Sequence, residues 1–223
     1  MKKLLLALFT TAFTNAVMAQ STFEGFYGQI ATGYENNTVK SGTSNDNVGT
    51  TFTNPSVSSG AAPLVIGAGY NFNVSTKYTL GLGVDYSLFS TNSGTITSIT
   101  STPNVLPNTA YTKASNRYNI YVMPGYVIDE TKLAYLKVGY SNQKVEDFAT
   151  PDNVSLGSAN LPGYILGVGY KQMIGGGIYA FGEANYINYS NGTLIYRESG
   201  GYSFFTNKGS DAYNALIGLG YKF

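Results

Sequence analysis

Apolar and polar positions alternate at every second residue in eight stretches of this chain. The clearest is Tyr78–Phe89, where Tyr78, Leu80, Leu82, Val84, Tyr86 and Leu88 oppose Thr79, Gly81, Gly83, Asp85 and Ser87. A period of two predicts a strand with one oily face and one small or polar face. Phe23–Asn36, Pro63–Asn73, Asn116–Ile128, Lys132–Ser141, Pro162–Gln172 and Asp211–Phe223 carry the same pattern. In Ile178–Tyr189 the parity is ambiguous, because Glu183 and Asn185 share a face with Tyr179 and Phe181. That face is assigned inward, since a carboxylate facing hydrocarbon is costly. Pro124 falls on the apolar face of the fourth stretch and cannot donate to a ladder, so a bulge is expected there.

The connections alternate in length. Asn73–Lys77, Asp129–Thr131 and Met173–Gly177 are short turns, whereas the other connections are long and rich in Ser, Thr, Asn and Gly. An even number of strands with strictly alternating short and long connections is what an up-and-down membrane barrel requires. Greek-key returns in a soluble sandwich would mix the two ends. Aromatic spacing points the same way. Tyr78 and Tyr86, Tyr118 and Tyr126, and Tyr213 and Tyr221 are each eight residues apart on an apolar face. Eight steps along a strand cover roughly 26 Å, or about 20 Å of height at a tilt near 40°, close to the spacing of the two aromatic girdles of a membrane barrel. The predicted fold is therefore an all-β, eight-stranded antiparallel up-and-down transmembrane β-barrel.

Composition fits this picture. The chain has 223 residues, with 20 Tyr, 27 Gly, no Trp and 11% charged residues. Residues 1–19 read as a secretory signal: Lys2 and Lys3, an apolar run from Leu4, and small residues ending at Ala19. Residues 20–223 then form the barrel domain. Of 13 basic residues, removal of Lys2 and Lys3 leaves 11 against 12 acidic ones. A near-neutral chain with no basic cluster argues against a nucleic-acid partner. Cys and His are both absent, so no disulfide framework forms and the commonest metal ligand and general base is missing. Asp46, Asp147 and Asp152 lack the spacing of a calcium loop. No cofactor or metal is expected.

The chain resembles the small outer-membrane β-barrel families grouped around the membrane domain of outer-membrane protein A and the outer-membrane protein X type. The resemblance rests on Gly25-Phe26-Tyr27-Gly28, Leu136-Lys137-Val138-Gly139-Tyr140-Ser141 and Gly218-Leu219-Gly220-Tyr221-Lys222-Phe223, and it covers essentially all of residues 20–223. It implies an outer-membrane location, lipid as surroundings, and recognition of Tyr221 and Phe223 by the barrel-assembly machinery. It says little about activity, because such barrels host adhesins, invasion factors and narrow channels alike.

With the apolar faces outward, the inward polar set includes Gln29, Glu35, Asp85, Arg117, Asn119, Lys137, Lys171, Glu183, Asn185, Asn214 and Lys222. Eight strands enclose a space just wide enough for side chains to fill, and acids and bases confined there should pair. Gln29, Glu35, Asp85, Arg117, Lys137, Glu183, Asn185 and Lys222 are the expected lumen network. Its central members, Asp85, Arg117, Lys137 and Glu183, form either an ion-pair plug or the lining of a narrow polar path. A hydrolytic role is disfavoured, since a Ser or Asp nucleophile lacks a histidine base. Glu146-Asp147 is expected to be solvated in the third long loop. The last two strands are predicted to continue as a hairpin beyond the membrane. Tyr196, Tyr202, Phe204 and Phe205 would then pack on a neighbouring loop or form an exposed contact patch for an extracellular ligand. The functional expectation is a monomeric structural or surface-interacting barrel, adhesin- or opacity-like, with a small-solute channel as the alternative.

Overall fold

The computed structural model describes residues 22–100, 109–197, 201 and 203–223; the signal segment, residues 1–19, lies outside them. Eight main strands follow one another: β1 (Gly25–Val39), β2 (Leu64–Asn73), β3 (Tyr78–Ser87), β4 (Thr109–Asp129), β5 (Lys132–Ala149), β6 (Ser155–Gly175), β7 (Ile178–Arg197) and β8 (Ser203–Lys222). Each is antiparallel to its neighbour, and β1 pairs with both β2 and β8, so the pairings run round a ring. Tyr27 opposes Lys222 and Tyr34 opposes Ala215 along the seam.

Lipid contact explains the alternation. On the outward face, Tyr78, Leu80, Leu82, Val84 and Tyr86 of β3 are all exposed, while the residues between them are buried. Two girdles bound this band. One holds Phe26, Tyr70, Tyr78, Tyr126, Tyr170 and Tyr221 at the short-turn end; the other holds Tyr34, Tyr86, Tyr118, Tyr140, Tyr164 and Tyr213 at the long-loop end, all exposed or half-buried. Such amphipathic rings sit where hydrocarbon meets water. The short-turn end is the periplasmic rim.

Inside, aromatic rings face glycines. Tyr27 pairs across the ladder with Gly69, Tyr121 with Gly83 and Gly139, Tyr135 with Gly169, Tyr179 with Gly220, and Phe181 with Gly218. A Cβ at Gly69, Gly169 or Gly220 would collide with the ring opposite. The glycine therefore makes room for a large ring in a narrow interior.

Pro124 does not produce a bulge. Its pairing with Leu80 of β3 is in register. Towards β5 the ladder has no pairs at Met123 and Pro124, and it resumes in unchanged register at Gly125–Tyr135. Losing one N–H removes a rung without inserting a residue. Register shifts lie instead between Val127 and Asp129 and between Ser115 and Tyr118, where Asn116 adopts φ 51°, a left-handed conformation that Asn tolerates.

Strand lengths are uneven. β4–β8 are 18–21 residues long, whereas β2 and β3 have 10 each. The predicted hairpin of β7 and β8 extends from Tyr189 to Arg197, and β5–β6 do likewise. The gap above β2 and β3 is filled by the first two long loops. Strands Gly42–Asp46 and Thr51–Asn54 add to the outer end of β8, Ile99–Thr100 adds to them, and Val57–Ala61 pairs with β1. Thr91–Asn92 and Ile96–Thr97 pair with β4.

Candidate functional site

Among the described residues, buried charged side chains converge in the interior. Alternation brings Glu35 (β1), Asp85 (β3), Arg117 (β4), Asp147 and Lys137 (β5), Lys171 (β6), Glu183 (β7) and Lys208 (β8) inward, and all eight are buried. Four are cations and four are anions, so the described interior is electrically balanced.

Arg117 and Glu35 form a two-pronged pair, with Nη1 donating to Oε1 at 2.8 Å and Nη2 to Oε2 at 2.6 Å. Arg117 Nε also donates to Ser87 Oγ at 3.0 Å. Fork-to-carboxylate geometry is the strongest ion-pair arrangement available to these groups. Lys137 lies between two carboxylates, 2.8 Å from Asp85 Oδ2 and 3.1 Å from Glu183 Oε2. Glu183 also accepts from Tyr135 OH at 2.8 Å, and Asp85 accepts from Asn119. Asn185 joins the two pairs: its Nδ2 donates to Glu183 and to Asn214 Oδ1, and Asn214 donates to Glu35. The result is one continuous network across the interior from β1 to β8.

Nearer the long-loop rim, Lys208 lies 2.7 Å from Asp147, and both bond Thr112. This pair was not expected. Asp147 is not solvated in a loop but sits in the outer half of β5, whereas its neighbour Glu146 faces outward and accepts from Ser155. Outside the lipid band neither face is forced to be apolar, so no alternation announced the strand. Lys171 has the opposite environment. Among the described residues its Nζ finds no hydrogen-bond partner; it lies 4.1 Å from the Tyr27 ring centroid, 4.9 Å from Tyr179 and 5.3 Å from Tyr135. Ring faces attract a cation without offering an acceptor.

Two expected members lie apart. Gln29 is half-buried and accepts from Tyr179 OH at 3.0 Å. Lys222 faces inward at the periplasmic rim beside Gly25, half-buried and away from the network. Tyr221 and Phe223 are exposed with their rings 5.0 Å apart, and the backbone of Phe223 donates to Phe26. Two apolar clusters flank the network: Phe23, Met123, Leu133 and Phe181 towards the periplasmic rim, and Leu161, Ile165, Ile187 and Tyr189 towards the outer one. A cavity of about 20 Å³ near Thr112, Gln143 and Ser210 is the size of one water.

Of the four loop aromatics, the three that are described lie on two faces. Tyr196 and Phe204 are cross-strand partners on the inward side, and Phe204 packs edge-on against Phe52 at 5.5 Å. Phe205 points outward and is exposed; Tyr202 lies outside the described residues. Alternation in β8 separates Phe204 from Phe205, and a bulge between Tyr189 and Gly192 flips the parity of β7 and brings Tyr196 to the side of Phe204. Beneath Phe52, Ser44, Asn54, Ser98 and Thr206 form a buried hydrogen-bonded cluster that ties the first two loops to β8.

A ring of antiparallel strands with a lipid-facing band, paired tyrosine girdles and a filled interior defines an outer-membrane β-barrel protein. The chain belongs to the outer membrane protein beta-barrel domain family, which matches residues 5–223, and its location is the outer membrane. Among solved structures it is similar to the outer membrane protease OmpT of Escherichia coli, with a TM-score of 0.57, 10% identity, and coverage of 93% of this chain and 99% of that one. It is equally similar to OprG of Pseudomonas aeruginosa, with a TM-score of 0.57, 14% identity and coverage of 90% and 97%. The attachment invasion locus protein Ail of Yersinia pestis matches with a TM-score of 0.42, 13% identity and coverage of 85% and 99%. At these identities the likeness is one of fold. No curated protein sequence matches the chain.

Proposed function

We propose that this protein is a plugged, monomeric barrel that works through its outer surface and neither conducts solutes nor catalyses a reaction. One observation carries the reading: the charge-balanced network from Glu35 to Glu183 crosses the interior between two apolar clusters. Breaking such a network leaves buried charge unpaired, so the interior resists opening. Its carboxylates are committed to Arg117, Lys137 and Lys208, and the chain has no histidine to activate a nucleophile. What remains free to act is the folded outer rim. Delivery rests on Tyr221 and Phe223 as the signal read by the assembly machinery.

The test is single-channel recording in planar bilayers. The wild-type protein gives no stable steps, and Lys137→Met does not introduce any with a defined conductance. Stable wild-type steps that shift in size on Lys137→Met would overturn the plug in favour of a narrow channel. Removal of residues 43–53 from the first loop, with folding intact, should then abolish binding of cells bearing this barrel to host surfaces.

A further inference from the structure

On the lipid-facing side of β5–β8 lies a shallow groove of about 690 Å³. Leu136, Val138, Leu166 and Val168 form one wall. Its floor is low because Ala184 and Ala215 face each other across the β7–β8 ladder, flanked in the same row by Val168 of β6 and Tyr34 of β1. The groove is apolar and open along one side, which suits a flexible hydrocarbon chain.

Its long-loop end changes character. There it meets Tyr34, Asn36, Tyr186 and Tyr213. The rings of Tyr186 and Tyr213 are 4.7 Å apart and inclined at 32°. Asn188 Nδ2 donates to Tyr186 OH at 3.0 Å and fixes that ring. The same motif recurs on β5, where Asn142 donates to Tyr140 OH at 3.1 Å. Tyrosine faces and amides two residues further out are the partners of sugar rings and hydroxyls. The charge at this end is already neutralised: Asp211 faces Lys40 at 3.6 Å. A phosphate would require uncommitted cations, and the rim offers amides instead.

We propose that this groove and its tyrosine–asparagine rim bind a neutral glycolipid of the surrounding membrane. The acyl chain lies over Ala184 and Ala215, and the sugar rests against Tyr186 and Tyr213 within reach of Asn36 and Asn188. The site continues the lipid interface that the girdles define, and it adds headgroup selectivity to it.

The full-length protein is reconstituted in phosphatidylcholine nanodiscs doped equally with monogalactosyl diacylglycerol and phosphatidylglycerol, then released for native mass spectrometry. Galactolipid is retained over phosphatidylglycerol by about tenfold, the worth of roughly one hydrogen bond, and added salt does not change the ratio. Ala184→Leu with Ala215→Leu fills the groove and abolishes retention, while Asn188→Ala keeps lipid bound but lowers the selectivity. Both leucines face lipid, and a heat-modifiable gel shift verifies folding. Equal retention of the two lipids would overturn the proposal. So would a phosphatidylglycerol preference that weakens with salt, lipid unaffected by the leucines, or a dimer of this chain lost on filling the groove.

Discussion

The two ends of the interior hold cations by different means. Towards the outer rim, Arg117 and Lys208 are each matched by a carboxylate and by further hydrogen bonds. Towards the periplasm, Lys171 is as deeply buried but is held by three tyrosine faces and no acceptor. The difference teaches what removal should cost. Deleting a matched cation strands its carboxylate in a low-dielectric space, and that penalty dominates. Deleting Lys171 breaks no hydrogen bond or contact ion pair, because a ring face is content with an apolar neighbour.

The largest effect is therefore expected from Lys137→Met, which leaves both Asp85 and Glu183 unpaired. It should destabilise the folded barrel by about 3–5 kcal/mol, measured by urea unfolding in vesicles. A cost below 1 kcal/mol would break the contrast. Next comes Gly169→Ala, whose Cβ would collide with the Tyr135 ring and disturb the hydroxyl that serves Glu183. Overpacking of this kind costs about 1–3 kcal/mol, and the same titration measures it. Lys171→Met should change stability by less than about 1 kcal/mol, or raise it, as apolar replacement of buried charge often does. A loss as large as that of Lys137→Met would show that Lys171 has an acceptor, such as an ordered water, and would erase the difference between the two ends.

The smallest effect lies outside the membrane. In the β4–β5 turn, Asp129 is held down to about 2, first by the hydrogen bond from Lys132 and then by the backbone and hydroxyl of Thr131. A lowered carboxyl favours folding above its ordinary value near 4, and the contribution fades as pH falls towards about 2. Asp129→Asn should thus slightly lower stability above about pH 4, by the same small amount that it removes from the acid limb, and leave it unchanged near pH 2. A large loss at pH 7 would assign the turn a structural weight that its full exposure argues against.

How much could be read from the sequence depended on where lipid applied pressure. In the band, hydrocarbon forces every outward side chain to be apolar, so Tyr78–Ser87 was legible residue by residue, and the inward placement of Glu183 followed from the cost of the alternative. Above the band, both faces meet water or other loops, and the pattern vanishes. That is why β5 was traced only to Ser141 and the Asp147–Lys208 pair went unseen. The inward glycines were visible, but not their purpose, because the ring that fills each one lies on another strand. Phe204 and Phe205 part by simple alternation, but Tyr196 joins the face of Phe204 only through a β7 bulge that has no signature in composition. Pro124 misled in the other direction, since a missing donor needs no extra residue to accommodate it.

The unequal strands give the molecule a front and a back. Five neighbouring strands, β4 to β8, rise past the outer girdle as a continuous wall, and β2 and β3 stop near it. From Tyr186 to Arg197 the wall climbs roughly 25 Å at ordinary strand rise and tilt. A bulky body descending from the medium, such as an antibody or a neighbouring cell, meets the crest of that wall first. A body moving in the plane of the membrane meets something else on the β2–β3 side: the first two loops, poor in charge and braced by Ser44, Asn54 and Ser98. Two visitors arriving by different routes would thus encounter different chemistry on one small barrel, and crowding in the membrane would hide one face while leaving the other on display.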